Sequence, residues 1–196
     1  MRALVICVQA IGVAIALAGS SMAQDVPRSF SIYVDRLASA DRSIRDIDAY
    51  ALTIAKPLRT LDPFIFGLHG GVISARGRSI EPGDIVFSSA DAVGFYTGGY
   101  LRLGPTDPAL ISPFVEGAVA LLLMDRTFPD HPSLSGNEGR IYGKFDIRWG
   151  VDIAVQDDLQ MEAAFVLNHI SNGSGFGAQN INYDGIGFSL GLVKSW

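Results

Sequence analysis

The chain has 196 residues and one cysteine, Cys7, close to its start. Beyond that point it has no thiol, which excludes disulfides, thiolate metal ligands and a cysteine nucleophile. Small exported domains often depend on covalent staples, so something else must stabilise this one. Also missing after residue 23 is any apolar stretch near the roughly twenty residues that a membrane-spanning helix requires. The longest, "AVALLLM" at 118–124, is far too short. Charged residues make up 18% of the chain, carry a net charge of −5 and form no run of one sign. That pattern excludes a basic nucleic-acid surface. No two of the three histidines have metal-ligand spacing, and "GSGFG" at 173–177 opens no helix, so it is a poor phosphate loop. No metal and no cofactor are expected.

The chain does have a leader. Residues 1–23, "MRALVICVQAIGVAIALAGSSMA", run from basic Arg2 through an apolar stretch to Ser21-Met22-Ala23. Small residues at −3 and −1 predict cleavage before Gln24, as in a secretory signal peptide. An uncleaved membrane anchor fits less well, because the apolar run is short. Loss of Arg2 makes the exported chain one charge more negative. The remaining residues, 24–196, read as one domain.

That domain alternates. In "IYGKFDIRWGVDIAV", 141–155, the odd positions give Ile141, Phe145, Ile147, Trp149, Val151, Ile153 and Val155. The even positions include Lys144, Asp146, Arg148 and Asp152. A side-chain period of two makes one face apolar and the other charged. Segments 30–37, 47–56, 64–75, 91–103, 111–124, 159–171 and 185–196 read as further strands, eight in all. Connections between them alternate in length. The first, third, fifth and seventh ("ASADRSIRD", "RGRSIEPGDIVFSSA", "DRTFPDHPSLSGNE", "NGSGFGAQNINYD") are long, and those between are short. The pattern predicts an all-β fold, an eight-stranded antiparallel up-and-down transmembrane β-barrel with short periplasmic turns and long external loops. Glycine-rich stretches such as "GLHGGV" and "YTGGY" leave room for crossing side chains in a small barrel. The chain then ends on the periplasmic side, with the aromatic Trp196 closing the last strand. The expected location is the bacterial outer membrane.

One strand carries an oddity. In 159–171 the more apolar face holds Met161, Ala163, Phe165 and Leu167, then His169 and Ser171. In a barrel this face meets lipid, near the external end. Imidazole can take the proton of a serine hydroxyl as its oxygen attacks an ester, then return it to the leaving alkoxide. Such a pair needs an orienting group and an oxyanion site. The sole acid after His169 is Asp184, on the same face as Ile186 and Phe188. Backbone amides in "SNGSG", including Gly173, or the Asn172 side chain are candidate oxyanion donors.

"HISNG", then "NYDGIG" and a final apolar strand, resembles the C-terminal region of the PagL-type lipid A 3-O-deacylases. Their motif, His-x-Ser-Asn, is matched by His169, Ser171 and Asn172. The resemblance implies an eight-stranded outer-membrane barrel with its catalytic residues on the lipid-facing exterior. It implies His169 as base, Ser171 as nucleophile and Asn172 near the oxyanion. It implies lipopolysaccharide as substrate, a carboxylic ester hydrolysis at the 3-O position of lipid A, and membrane lipid as surroundings; it leaves a homodimer open. In one respect the chain departs from the family. The family glutamate is expected where this chain has Ile186 or Gly187. Either Asp184 takes its place, or the pair works without a strong orienter, or the site is inactive.

Other residues have plainer readings. His69 falls opposite Phe64, Phe66 and Leu68 and reads as lumenal or structural. His131 sits in a Pro/Gly/Ser-rich loop and reads as solvated. Lys144, Asp146, Arg148 and Asp152 read as a lumenal charge network, with Glu116 and Glu162 as its partners. A non-catalytic small barrel of adhesion or stabilising type is the competing whole-protein reading.

Overall fold

Eight strands form in the computed structural model, which describes residues 29–40, 45–79, 90–105, 110–125, 140–171 and 182–196. They are β1 (Ser29–Ser39), β2 (Arg45–Leu61), β3 (Phe64–Ser79), β4 (Ala90–Leu103), β5 (Ile111–Met124), β6 (Ile141–Gln156), β7 (Leu159–Ser171) and β8 (Asn182–Ser195). The expected leader, 1–23, lies outside the described residues, as do His131, Asn172 and Gly173.

The strands pair antiparallel in chain order, and β1 closes on β8 from Ser29↔Ser195 to Ser39↔Gly185. Closure leaves no sheet edge, which does for this cysteine-poor chain what a staple would do elsewhere. The connections from β2 to β3, β4 to β5 and β6 to β7 are short and lie at the end that holds Ser29 and Ser195. The longer connections leave from the opposite end.

Each strand sorts its residues by parity, as the pleat requires. On β6, Phe145, Ile147 and Trp149 are exposed while Tyr142, Lys144, Asp146 and Arg148 are buried. On β1 and β2, Ile32, Val34, Tyr50, Leu52 and Ile54 point out; Tyr33, Asp35, Ala49, Ala51 and Thr53 point in. The outer wall is therefore apolar around the whole circumference. It far exceeds any patch that a soluble monomer exposes, and a hydrocarbon phase is the medium that fits it.

The lumen is filled. Arg148 donates to Glu116 Oε1 at 3.0 Å, to Glu162 and to Ser189 Oγ at 2.7 Å, and its guanidinium lies 3.6 Å from the Tyr33 ring centroid. Arg102 donates to Glu162 Oε2 at 2.8 Å and to Asp152, and covers the Phe114 ring. Lys144 pairs with Asp146, which also accepts from Asn168 Nδ2 at 2.6 Å. The sequence-derived network is thus present, with Arg102, Ser189 and Asn168 as further members. His69 is buried among these layers, its ring centroid 5.8 Å from that of Tyr96 and 6.4 Å from that of Tyr100. Its Nε2 lies 3.3 Å from the Val119 carbonyl. The histidine is structural.

Candidate functional site

β7 ends on the wall, at the end of the long connections. Asn168 and Ile170 are buried in the lumen, which turns His169 and Ser171 outward, each half-buried among its neighbours. Parity on the strand thus sends both onto the apolar exterior.

Cross-strand register builds the rest. His169 stands directly opposite Asp184 on β8 and Phe145 on β6, making one row across three strands. Residues facing each other this way have Cβ atoms about 5 Å apart, within reach of a short acid. His169 Nδ1–H donates to Asp184 Oδ1 at 2.6 Å, a charge-assisted length. In the neutral imidazole that bond puts the proton on Nδ1 and turns the Nε2 lone pair away from the acid. Phe145 lies against the other side of the imidazole, ring centroids 6.1 Å apart.

Ser171 belongs to the next row towards the long-connection end, between Gly143 of β6 and Asn182 of β8. Gly143 offers no side chain there, and the Phe145 ring leans over it, 3.0 Å from where a Cβ would stand. His169 and Ser171 are successive outward residues of one strand, so their Cα atoms are about 6.5–7 Å apart and their side chains point the same way. The side chains of His169 and Asp184 are 42% and 64% exposed. Once a hydrocarbon phase covers the wall, that exposure is to the bilayer boundary and not to bulk water.

Three sequence-predicted residues, His169, Ser171 and Asp184, thus share one face and adjoining rows. The two oxyanion candidates, Asn172 and Gly173, lie outside the described residues. Phe145 and Gly143 were not picked out from sequence; parity placed them outward, but only register sets them beside the imidazole and the serine. Among the described residues, no cluster of three or more His, Cys, Asp or Glu side chains could hold a metal ion.

No protein-family model matches the chain, and none of the curated proteins matches it either. Solved structures do. The barrel is similar to the outer membrane enzyme PagL, with a TM-score of 0.51 and 12% identity over 83% of this chain and 97% of that one. It is equally similar to Neisserial surface protein A (NspA), with a TM-score of 0.51 and 14% identity over 85% of this chain and 97% of that one. At such identities the likeness concerns the fold alone: the chain has the eight-stranded barrel architecture of outer-membrane proteins.

Proposed function

We propose that the protein is an outer-membrane ester hydrolase that removes an acyl chain from lipid A, at the 3-O position, using Ser171 and His169. The observation that carries this reading is the 2.6 Å contact between His169 and Asp184 on the apolar outside of the barrel. A hydrogen-bonded histidine and aspartate are costly on a lipid-facing wall, and beside an outward serine they favour a chemical use. An acylated glycolipid in the outer leaflet would present its esters at that level.

In the proposed reaction, His169 Nε2 takes the Ser171 hydroxyl proton as Oγ attacks the ester carbonyl. The tetrahedral intermediate then expels the sugar alkoxide, which takes the proton back from Nε2, and the acyl group stays on Ser171. Water, deprotonated by the same nitrogen, adds to the acyl-serine; the intermediate breaks its bond to Ser171 Oγ, which takes the proton back from Nε2 as the fatty acid leaves. Asp184 holds the imidazole tautomer throughout and stabilises the imidazolium that forms.

The register supports Asp184 in the role that the PagL-type pattern gives to a glutamate. Gly187 points into the lumen, so no acid at 187 could serve. Ile186 is outward but opposite Leu167, diagonal to His169, and diagonal neighbours are about 7–8 Å apart. An acid at 186 needs the extra methylene of glutamate. Asp184, directly opposite, does not.

The test is lipid A mass spectrometry on outer membranes from cells expressing wild type or Ser171→Ala. Wild type is expected to shift lipid A by the mass of one fatty acyl group, and Ser171→Ala to leave it intact while still migrating as a folded barrel. Identical spectra with and without the wild-type protein would move the assignment to a non-catalytic small barrel, since the fold likeness to PagL and to NspA is the same.

A further inference from the structure

β1 runs beside β8 and carries a charge that the ester chemistry leaves unused. Tyr33, Asp35 and Leu37 are buried in the lumen, so Val34, Arg36 and Ala38 face outward, and Arg36 is exposed. Directly opposite it stand Phe188 on β8 and Tyr50 on β2, 68% and 52% exposed. Neither is an anion. Elsewhere at this end of the wall, polar groups come as matched neighbours in register: the His169 imidazole with the Asp184 carboxylate, and Asp48 with Arg76. Arg36 makes no ion pair with any described side chain.

A lone guanidinium facing hydrocarbon is destabilising, most of all at mid-bilayer. Arginine lowers that cost by extending its stem along the apolar surface until its head reaches the headgroup layer. Upward along β1 from Arg36 lies the site. The Ala40 amide donates to the Asp184 carbonyl at 2.9 Å, which places Arg36 four residues, about 13 Å of strand, from the row of Asp184. An arginine extended along the strand covers about half of that distance, which leaves its fork and the His169–Asp184 pair on one outer face with a gap on the scale of a sugar ring between them. Planar guanidinium groups match phosphate oxygens two at a time.

We infer that Arg36 binds a phosphate on the same acylated sugar whose ester is presented to His169 and Ser171, selecting phosphorylated glycolipid over other lipids. The inference rests on the hydrolase reading for the identity of the lipid. It treats Arg36 as a specificity-determining group, with Phe188 and Tyr50 excluding water from its contact.

The test is lipid binding to full-length protein refolded in detergent. The Ser171→Ala variant is used so that substrate is not consumed, and Trp149 and Trp196 fluorescence is the signal. The probes are bis-phosphorylated lipid A, lipid A stripped of both phosphates, and phosphatidylglycerol. Bis-phosphorylated lipid A is expected to bind at least about tenfold more tightly than the stripped form, the size of one charge-assisted contact. Arg36→Gln should erase that preference, and Arg36→Lys should keep part of it. In the active protein, Arg36→Gln should lower the ratio of kcat/KM on phosphorylated over stripped lipid A about tenfold. Full preference in Arg36→Gln would overturn the inference. So would an equal loss of phosphatidylglycerol binding, which would mark a general headgroup contact. If Arg36→Gln does not fold, equal wild-type affinity for the two lipid A forms would overturn it just as well. A phosphate preference in a protein that never deacylates would remove the hydrolase and leave the anchor standing, so the two failures can be told apart.

Discussion

His169 and Asp184 meet because two strands place them in one row, and the chemistry of the pair is set by which nitrogen holds the proton. With Nδ1–H donated to the carboxylate, Nε2 is the base. Asp184→Asn changes this with little change of shape. An amide NH₂ turned to Nδ1 favours the opposite tautomer, with Nε2 protonated and unable to accept. The expected outcome is a fall of about 10²–10⁴-fold in fatty-acid release, measured as initial rates on lipid A in mixed micelles. An unchanged rate would take Asp184 out of the site. The candidate residues themselves were legible in the sequence, since parity along two strands puts His169, Ser171 and Asp184 on one face. Their contact was not, because ten residues, 172–181, separate β7 from β8 and leave the register between them unspecified.

Register is likewise what hid Phe145. The β6–β7 turn is short, and counting back from Gln156↔Leu159 would set His169 opposite Asp146, a lumenal residue. The pairing slips by one between Ala154 and Gln156, a bulge that restores Phe145 to the outer row. At this same scale, glycine acts as space. Thr53, Gly71 and Tyr96 form one lumenal row across β2, β3 and β4, and the Tyr96 hydroxyl reaches over Gly71 to bond the Thr53 hydroxyl. A Cβ on Gly71 would stand 2.8 Å from that tyrosine oxygen and closer still to the Leu52 carbonyl. Gly71→Ala is expected to destabilise the barrel by about 1–3 kcal/mol, read as a lower urea midpoint in detergent or lipid. Gly117 provides the contrast: it faces outward with nothing within 4 Å of its would-be Cβ. Gly117→Ala should stay within about 0.5 kcal/mol of wild type.

For the whole molecule, the interior is packed with side chains: an apolar cluster that includes Leu37, Ile73, Leu122 and Val166, and ionic layers beside it. Arg148 is the hub, buried and bonded to Glu116, Glu162 and Ser189 beneath the Tyr33 ring. Removing one member of a buried ionic group leaves the others uncompensated, at a cost of about 3–5 kcal/mol. Arg148→Ala should therefore lower the unfolding midpoint strongly, and neutralising Glu116 and Glu162 to glutamine in the same protein should recover much of the loss. A triple variant no more stable than Arg148→Ala would mean that the layer acts by packing and not by charge. The wall outside obeys the opposite rule: its polar groups are few and its exposed side chains mostly apolar.

From sequence alone came the class of the molecule: period-two alternation, eight strands, connections of alternating length and an apolar exterior. All of these follow from local chemistry, since the direction of a side chain depends on its own strand's pleat. The lumenal charges were legible for the same reason. Which residue stands across from which depends on bulges, on long connections and on the stagger that closes the cylinder, and none of these is written locally. Only the closed tertiary structure set Asp184 against His169, Phe145 beside them and Arg36 alone on the adjoining strand.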